Sequence, residues 1–343
     1  MSKPMKVVLA GCGGISNAWL TACKELPDLE IAGLIDLVED AARKRQEEYH
    51  LKNALVGSDL AAMLKTIQPD ILFDCTVPEA HLPTTLTGLA HGCHVLGEKP
   101  MADTMEHARQ MVAAAQKAGK IYAVIQNRRY QSEIRRLRTF LEGGTLGPVT
   151  TLNCDFYIGA HFGGFRDQME HVLLLDMAIH TFDAARYISG ANPVSVYCKE
   201  WNPAGSWYAQ GASAAAVFEM TNGILYNYRG SWCSEGLNTT WECDWRVIAQ
   251  KGSLKWDGQQ QFNAQILSKT GGFFSEFKPA LIPEADSLEK TGGHAGLIRE
   301  FVDCVRNGRE PETICSDNIH SLAMVHAAIR SAETGRVVRI DEL

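Results

Sequence analysis

The chain has 343 residues, 45% of them hydrophobic and 21% charged, with a formal net charge of −7. That length supports two domains with separate cores, and an acidic chain without an extended basic tract argues against nucleic acid as a partner. The ten cysteines stand singly, none spaced Cys-x-x-Cys, which argues against a disulfide framework and suits reduced thiols.

The N-terminus lacks a secretory pattern, and no apolar run is long enough to cross a bilayer, so a cytoplasmic protein without membrane contact is expected. Short apolar runs at 7–10, 31–35, 71–75, 94–97 and 122–125 read as strands. Between them, 40–50, 59–67, 83–91 and 104–118 are rich in Ala, Leu, Glu, Lys and Gln and read as helices, the last closed by Gly119. This alternation implies an α/β domain over 1–125 with a parallel sheet covered on both faces. The cations Arg43, Lys44 and Arg45 are expected on a solvated helix face.

Beyond Tyr130 the pattern changes. A helix at 133–141 leads to β-rich runs at 149–158, 194–201, 213–219, 224–232, 241–249 and 262–267. One helix at 174–188 interrupts them, and helices return at 296–305 and 318–332. Residues 126–343 therefore read as an α+β domain with a large, mostly antiparallel open sheet, and 271–293 as an irregular, mobile loop.

Gly11-Cys12-Gly13-Gly14-Ile15-Ser16 follows the first strand and opens a helix. Gly11 permits a tight turn, Gly13 lets a pyrophosphate approach the backbone, and the helix start offers N–H groups to phosphate. Ser16, small enough for close helix–strand packing, takes the third glycine's place. Asp36 ends the second strand, where an acid bonds the adenosine ribose; a cap of the helix beginning near Glu39 is the competing reading. A carboxylate there repels a 2′-phosphate, so NAD is expected rather than NADP, although an arginine from the 43–45 cluster folding back would admit the latter.

Glu98-Lys99-Pro100 follows the 94–97 run, at the carboxyl edge where open α/β sheets bind ligands, though on its own it would also pass for a plain strand end. Asp176 and His180, spaced i, i+4 in an apolar helix, share a face; a buried pair bracing that helix is the competing reading. These elements, with Gln126-Asn127-Arg128-Arg129-Tyr130 and Asp183, occur in an order that resembles the glucose–fructose oxidoreductase / inositol dehydrogenase / rhizopine catabolism (Gfo/Idh/MocA) family across the whole chain.

The resemblance implies a Rossmann fold for the first domain, and for the second a substrate domain whose open sheet makes a homodimer or homotetramer. It implies Lys99, Asp176 and His180 as the catalytic set, with Lys99–Pro100 cis as in many relatives. The expected cofactor contacts are Gly11, Gly13, Gly14, Ile15, Asp36, Thr76, Pro78, His81, Glu98, Lys99 and Asn127. Arg128 and His161 join Lys99, Asp176 and His180 as expected substrate contacts. The chain departs from many relatives at Met177-Ala178-Ile179, where glycine is frequent, and in lacking a glycine-rich run before Asp176; both bear on the substrate.

The expected reaction is hydride transfer from a secondary alcohol of a sugar, inositol or related polyol, with His180 as base and Lys99 steadying the alkoxide. Aromatic and hydroxyl-binding groups of the second half, among them Trp201, Trp207, Tyr208, Trp232, Trp241, Trp245, Arg166 and His294, suit such a substrate, although most of the tryptophans are expected in cores or interfaces. No metal is expected, because nothing completes the pairs His91/His94 and His320/His326. The alternatives are cleavage of a glycoside through a 3-keto sugar with NAD recycled, transfer between bound sugars without cofactor exchange, and a non-catalytic dinucleotide-sensing regulator. Retention of both Lys99 and His180 weighs against the last.

Overall fold

Alternating strands and helices build the first part of the chain, as the runs of buried aliphatics require. The structure, a computed structural model, describes residues 4–284 and 290–343. In order come β1 (Met5–Ala10), α1 (Ser16–Cys23), β2 (Leu29–Ile35), α2 (Glu39–Glu48), β3 (Leu55–Gly57), α3 (Leu60–Ile67), β4 (Ile71–Asp74), α4 (Pro78–Ala90), β5 (His94–Gly97), α5 (Met105–Ala118) and β6 (Tyr122–Val124). The sheet order is β3-β2-β1-β4-β5-β6, and every pairing is parallel. Crossover helices cover both faces, so Val7, Val8, Leu9, Ile71, Leu72 and Phe73 are fully buried. Asp59 and Thr104 cap α3 and α5 by accepting from Ala62 and His107 N–H, and Gly119 ends α5 in the left-handed region.

Two elements differ from expectation. The edge strand β3 is too short for a periodic signal to reveal it. Helix α4 starts at Pro78, not near Pro83, because a proline in the first turn loses no hydrogen bond; Pro83 then lies inside the helix.

The second part begins with α6 (Ser132–Glu142) and β7 (Val149–Tyr157), then a π-helical turn at Leu173–Ala178 running into α7 (Ile179–Ser189). The strands β8 (Pro193–Trp201), β9 (Ser213–Met220), β10 (Leu225–Ser231), β11 (Asp244–Ala249), β12 (Gly252–Trp256), β13 (Phe262–Lys269) and β14 (Glu276–Ala280) follow. Helices α8 (Gly293–Asn307) and α9 (Cys315–Thr334) and the short β15 (Val338–Arg339) end the chain. The nine-stranded sheet runs β14-β13-β12-β11-β7-β10-β9-β8-β15. It is antiparallel except where β7 and β10 pair in parallel. The segment expected as an irregular loop at 271–293 contains β14, a polar edge strand that pattern reading misses; its residues 285–289 lie outside the described residues.

One face of this sheet is the core side. Phe182 of α7 sits edge-on to Phe218, Tyr226 and Tyr228, with ring centroids 4.9, 6.2 and 5.2 Å away. Burying such a ring stabilises by about 2–3 kcal/mol. The other face is open. Strand register sets Tyr197, Val217, Asn227, Asn153 and Arg246 in one row, and Leu225, Thr151 and Ile248 in the next. Tyr197, Val217, Leu225 and Ile248 are 40–47% exposed there.

The chain divides into two compact units, and the division differs from a single cut after residue 125. Residues 4–130 and 290–322 form the first, and 131–284 with 323–343 the second. The returning segment joins the first core through Leu297, Ile298, Phe301 and Val302 of α8, clustered with Trp19 and Leu20 of α1. Ile314 also bridges Ala123 of β6. Amphipathicity alone does not tell a helix which core it will join. Among the described residues no helix is long and apolar enough to cross a membrane.

Candidate functional site

At the end of β1 the backbone turns through Gly11 at φ +89°, where an added Cβ would stand 2.5 Å from the carbonyl oxygen of Cys75. Only glycine fits both the dihedral and the approach. Gly11 N–H donates to Ile35 O at 2.9 Å, tying the turn to the end of β2. Asp36 reinforces that tie: Oδ2 accepts from Cys12 N–H at 2.7 Å and Oδ1 from Val38 N–H at 2.9 Å. The carboxylate is half-buried, and its remaining lone pairs suit two ribose hydroxyls. The competing cap reading does not hold in its simple form, since α2 has Val38 at its N-cap and no side-chain cap bond.

A cavity of about 500 Å³ opens here, lined by Gly11, Gly13, Asp36, Leu37, Thr76 and Val77 among others. Added Cβ atoms on Gly13 and Gly14 would meet nothing within 4 Å, so the loop faces open space with backbone alone. The exposed side chains of Leu37 and Val77 supply apolar walls suited to a flat heterocycle. Glycine backbone for a pyrophosphate, acid for a ribose and apolar lips for a base fit a dinucleotide.

Thr76 lies on this cavity, and its hydroxyl donates to Asp74 Oδ1 at 2.5 Å. His81 stands behind the wall rather than on it: it is buried, with Nδ1 3.0 Å from Asp74 Oδ2. Burial opposes protonation of His81, yet the charge and hydrogen bond of Asp74 raise its pKa. Pro78 opens α4 and Ile15 caps α1 with a 41% exposed side chain.

At the end of β5, buried Glu98 accepts from Trp19 Nε1 at 2.7 Å and from Lys99 N–H at 3.1 Å. His294 Nε2 lies 3.8 Å from the same carboxylate. Burial alone would raise the Glu98 pKa, but the neighbouring His294 and the bond from Trp19 lower it. The Lys99–Pro100 peptide is cis and the Lys99 side chain is half-buried. Asn127 pairs through Nδ2 with His294 Nδ1 at 3.0 Å, while its Oδ1 is buried without a partner. His294 thus belongs to the first unit, although its place in the chain put it with the second half. Arg128 lies with Asn127 on a 3-10 turn at Asn127–Tyr130.

In the second unit Asp176 sits on the π-helical turn and His180 in the first turn of α7. Both are half-buried, while Met177, Ala178 and Ile179 between them are buried. The helix expected to carry both is therefore π-helical at Asp176 and α-helical at His180. Asp183 is fully buried and 3.8 Å from Arg186, as suits a structural acid. Asp176 accepts from Arg166 Nε at 2.6 Å and Nη2 at 3.4 Å. The Arg166 guanidinium lies 5.1 Å from the Phe162 ring and 4.7 Å from the Phe165 ring.

His161 is exposed, stacked on Trp207 at 3.7 Å and paired with Glu235 at 2.9 Å. Phe162 packs 4.7 Å from Trp232, and Phe162 and Trp241 are 43% and 45% exposed, forming an aromatic surface. Of the tryptophans expected mostly in cores or interfaces, Trp232 and Trp245 are buried and Trp207 is half-buried, whereas Trp201 and Trp241 are exposed.

Sequence reasoning misses the part of Arg45. Arg43 and Lys44 are the exposed cations expected, but Arg45 is only 9% exposed and turned under the glycine loop. The one hint in the sequence is the serine at the third fingerprint position. Arg166 is legible only as a group suited to sugars, since its link to Asp176 depends on how the intervening loop folds.

The first unit is a dinucleotide-binding Rossmann unit, with acid, glycine turn and cavity at the carboxyl edge of its parallel sheet. Residues 5–126 match the oxidoreductase family with an NAD-binding Rossmann fold, and 134–255 match the GFO/IDH/MocA C-terminal domain. The chain belongs to the Gfo/Idh/MocA oxidoreductase family and is an enzyme of that class. It is 26% identical to a D-apiose dehydrogenase of Paraburkholderia graminis over 348 residues, covering 99% of this chain and 91% of that protein. It is 34% identical to a D-glucoside 3-dehydrogenase of Escherichia coli over 196 residues, 55% of each chain. The fold is shared with an Agrobacterium radiobacter oxidoreductase solved in complex with NAD+, L-tartaric acid and magnesium, with TM-score 0.85, 21% identity and 99% of both chains covered.

Proposed function

We propose that the protein is an NAD-dependent dehydrogenase acting on a secondary alcohol of a sugar, inositol or related polyol. The observation that carries the reading is the Asp36 carboxylate, fixed to Cys12 N–H beside the glycine turn and lining the cavity. It selects NAD over NADP, since a 2′-phosphate would meet a fixed negative charge. The arginine that folds back, Arg45, has all three guanidinium nitrogens engaged, with Ser16, Gly13 and Glu48. Arg43 is paired with Glu39.

Bound NAD supplies the hydride acceptor. Lys99 steadies the substrate oxygen as negative charge develops, and His180 takes the hydroxyl proton. Asp176, bonded by Arg166, holds a neighbouring hydroxyl. Asn127, with its unpartnered Oδ1, receives an amide donor from the nicotinamide end. Arg128 and His161 supply further substrate contacts, with the Phe162/Trp241 surface for the apolar face of a sugar ring. The ten free thiols suit a reducing compartment. The open face of the nine-stranded sheet is the surface for self-association into a dimer or tetramer. The relation to a D-glucoside 3-dehydrogenase favours glycosides, oxidised at a ring secondary alcohol, as the first substrates to try.

The test is a panel of aldoses, inositols and glycosides with NAD and with NADP, followed at the NADH absorbance band. Turnover with NAD is expected on at least one polyol. Lys99→Ala and His180→Ala are each expected to lower kcat by about a hundredfold or more while NAD binding is kept. Full turnover in either variant would overturn the role of the residue replaced, and a preference for NADP would overturn the role of Asp36.

A further inference from the structure

The third fingerprint position of a dinucleotide loop asks only for a small residue, and alanine would satisfy it. Here Ser16 is fully buried, and its hydroxyl is used. It donates to Gly13 O at 2.6 Å and accepts from Arg45 Nε at 3.0 Å. Arg45 Nη2 donates to the same Gly13 carbonyl at 3.0 Å, and Nη1 pairs with Glu48. A buried cation carried on α2 therefore grips one peptide group of the glycine turn from behind.

The grip has a directional consequence. The C=O of one residue and the N–H of the next point opposite ways across a trans peptide, and the Gly13–Gly14 bond is not among the cis bonds. With Gly13 O held inward by Arg45 and Ser16, Gly14 N–H is aimed outward. Open space adjoins this peptide, since an added Cβ at Gly13 or Gly14 would find nothing within 4 Å. Two consecutive glycines have little intrinsic preference for one peptide orientation over its flip, so without the grip this donor would be poorly directed.

We propose that Arg45, acting through Ser16, is a positioning residue for the cofactor diphosphate: it fixes the Gly13–Gly14 peptide so that its N–H meets a phosphate oxygen, and adds positive potential behind the loop. The inference rests on the dinucleotide reading above and deepens it. Asp36, which holds the ribose, has no bond to Arg45, so ribose and diphosphate recognition are separable.

The experiment titrates wild type, Arg45→Met, Arg45→Lys and Ser16→Ala with NAD, ADP and adenosine by calorimetry and ligand-observed NMR. Arg45→Met is expected to weaken NAD and ADP by the same factor, about ten- to a hundredfold, as for loss of a charge-assisted bond. Adenosine, lacking phosphates, is expected to bind unchanged. Arg45→Lys restores part of the loss, and Ser16→Ala gives a smaller one of the same kind.

In turnover, Arg45→Met raises KM for NAD and leaves kcat at saturation near wild type. A folded Arg45→Met that binds ADP like wild type overturns the proposal. So does an equal loss for adenosine, which would make Arg45 a mere prop of the fold. If Arg45→Met does not fold, Arg45→Lys decides: weaker ADP with unchanged adenosine supports the proposal, and no change overturns it. Wild type that binds neither NAD nor ADP sinks the dinucleotide reading and this inference with it, whereas equal binding in wild type and variant sinks this inference alone.

Discussion

Gly11 meets two demands at once, a positive φ and a neighbouring carbonyl within 2.5 Å of where a Cβ would stand. Alanine loses about 1–2 kcal/mol to the dihedral and must in addition push against the chain at Cys75. Gly11→Ala is expected to cost about 2–4 kcal/mol, read as a lower urea midpoint at unchanged m-value, with weaker NAD binding. An unchanged midpoint would show that the turn relaxes freely. Much at this scale is readable from the sequence, because glycine turn, Asp36 and Glu98-Lys99-Pro100 are local in the chain and their spacing states their purpose. The part of Arg45 is not, since Arg43, Lys44 and Arg45 look alike in sequence and only the fold decides which one turns inward. Sequence pattern misplaces His294 for the same reason: its partners Asn127 and Glu98 are far away along the chain.

The π-helical turn at Leu173–Ala178 illustrates what periodicity conveys about elements and what it omits. The pattern predicts a single helix over 174–188, and the apolar stripe does continue into α7, but an apolar run gives no sign of one wider turn. Just before that turn His171 adopts φ +51°, with Nδ1 2.5 Å from Glu200 near the end of β8 and Nε2 3.5 Å from Glu333. The hydrogen bond that His171 donates to Glu200 outweighs burial and raises the His171 pKa above its ordinary 6.5, with Glu333 and Glu170 adding to it.

A raised value means that the pair stabilises fully below pH 6.5 and that the contribution fades as pH climbs through the folded-state value. Melting temperature of wild type minus that of His171→Gln should therefore shrink as pH is raised from about 6 to about 9. A difference independent of pH would show that the imidazole is not protonated in the fold. Edge strands β3, β14 and β15 escape pattern reading because they are short or polar, and so lack the buried alternation by which strands are recognised.

At the scale of the molecule, the α/β unit followed by a mostly antiparallel open sheet is legible from the change in pattern after Tyr130. The open sheet face carries Tyr197, Val217, Leu225 and Ile248, each at least 40% exposed and aligned by strand register. Aligned apolar side chains of this kind mark association surfaces. Sedimentation is expected to show a dimer or tetramer at micromolar concentration, and Val217→Asp with Leu225→Asp to shift it to monomer while NAD affinity stays within about twofold. A wild-type monomer would overturn that assignment.

The boundary between units is less legible, because α8 looks like any other amphipathic helix and nothing in its periodicity says that it belongs beside Trp19. Its return has a consequence for synthesis. A ribosome that has released the first 130 residues has made the whole parallel sheet, but not the α8 residues that pack with Trp19 and Leu20. The nucleotide unit therefore waits until the intervening stretch of the second unit has been translated before its own core can close, and the early nascent chain carries an apolar surface meanwhile that chaperones are suited to shield.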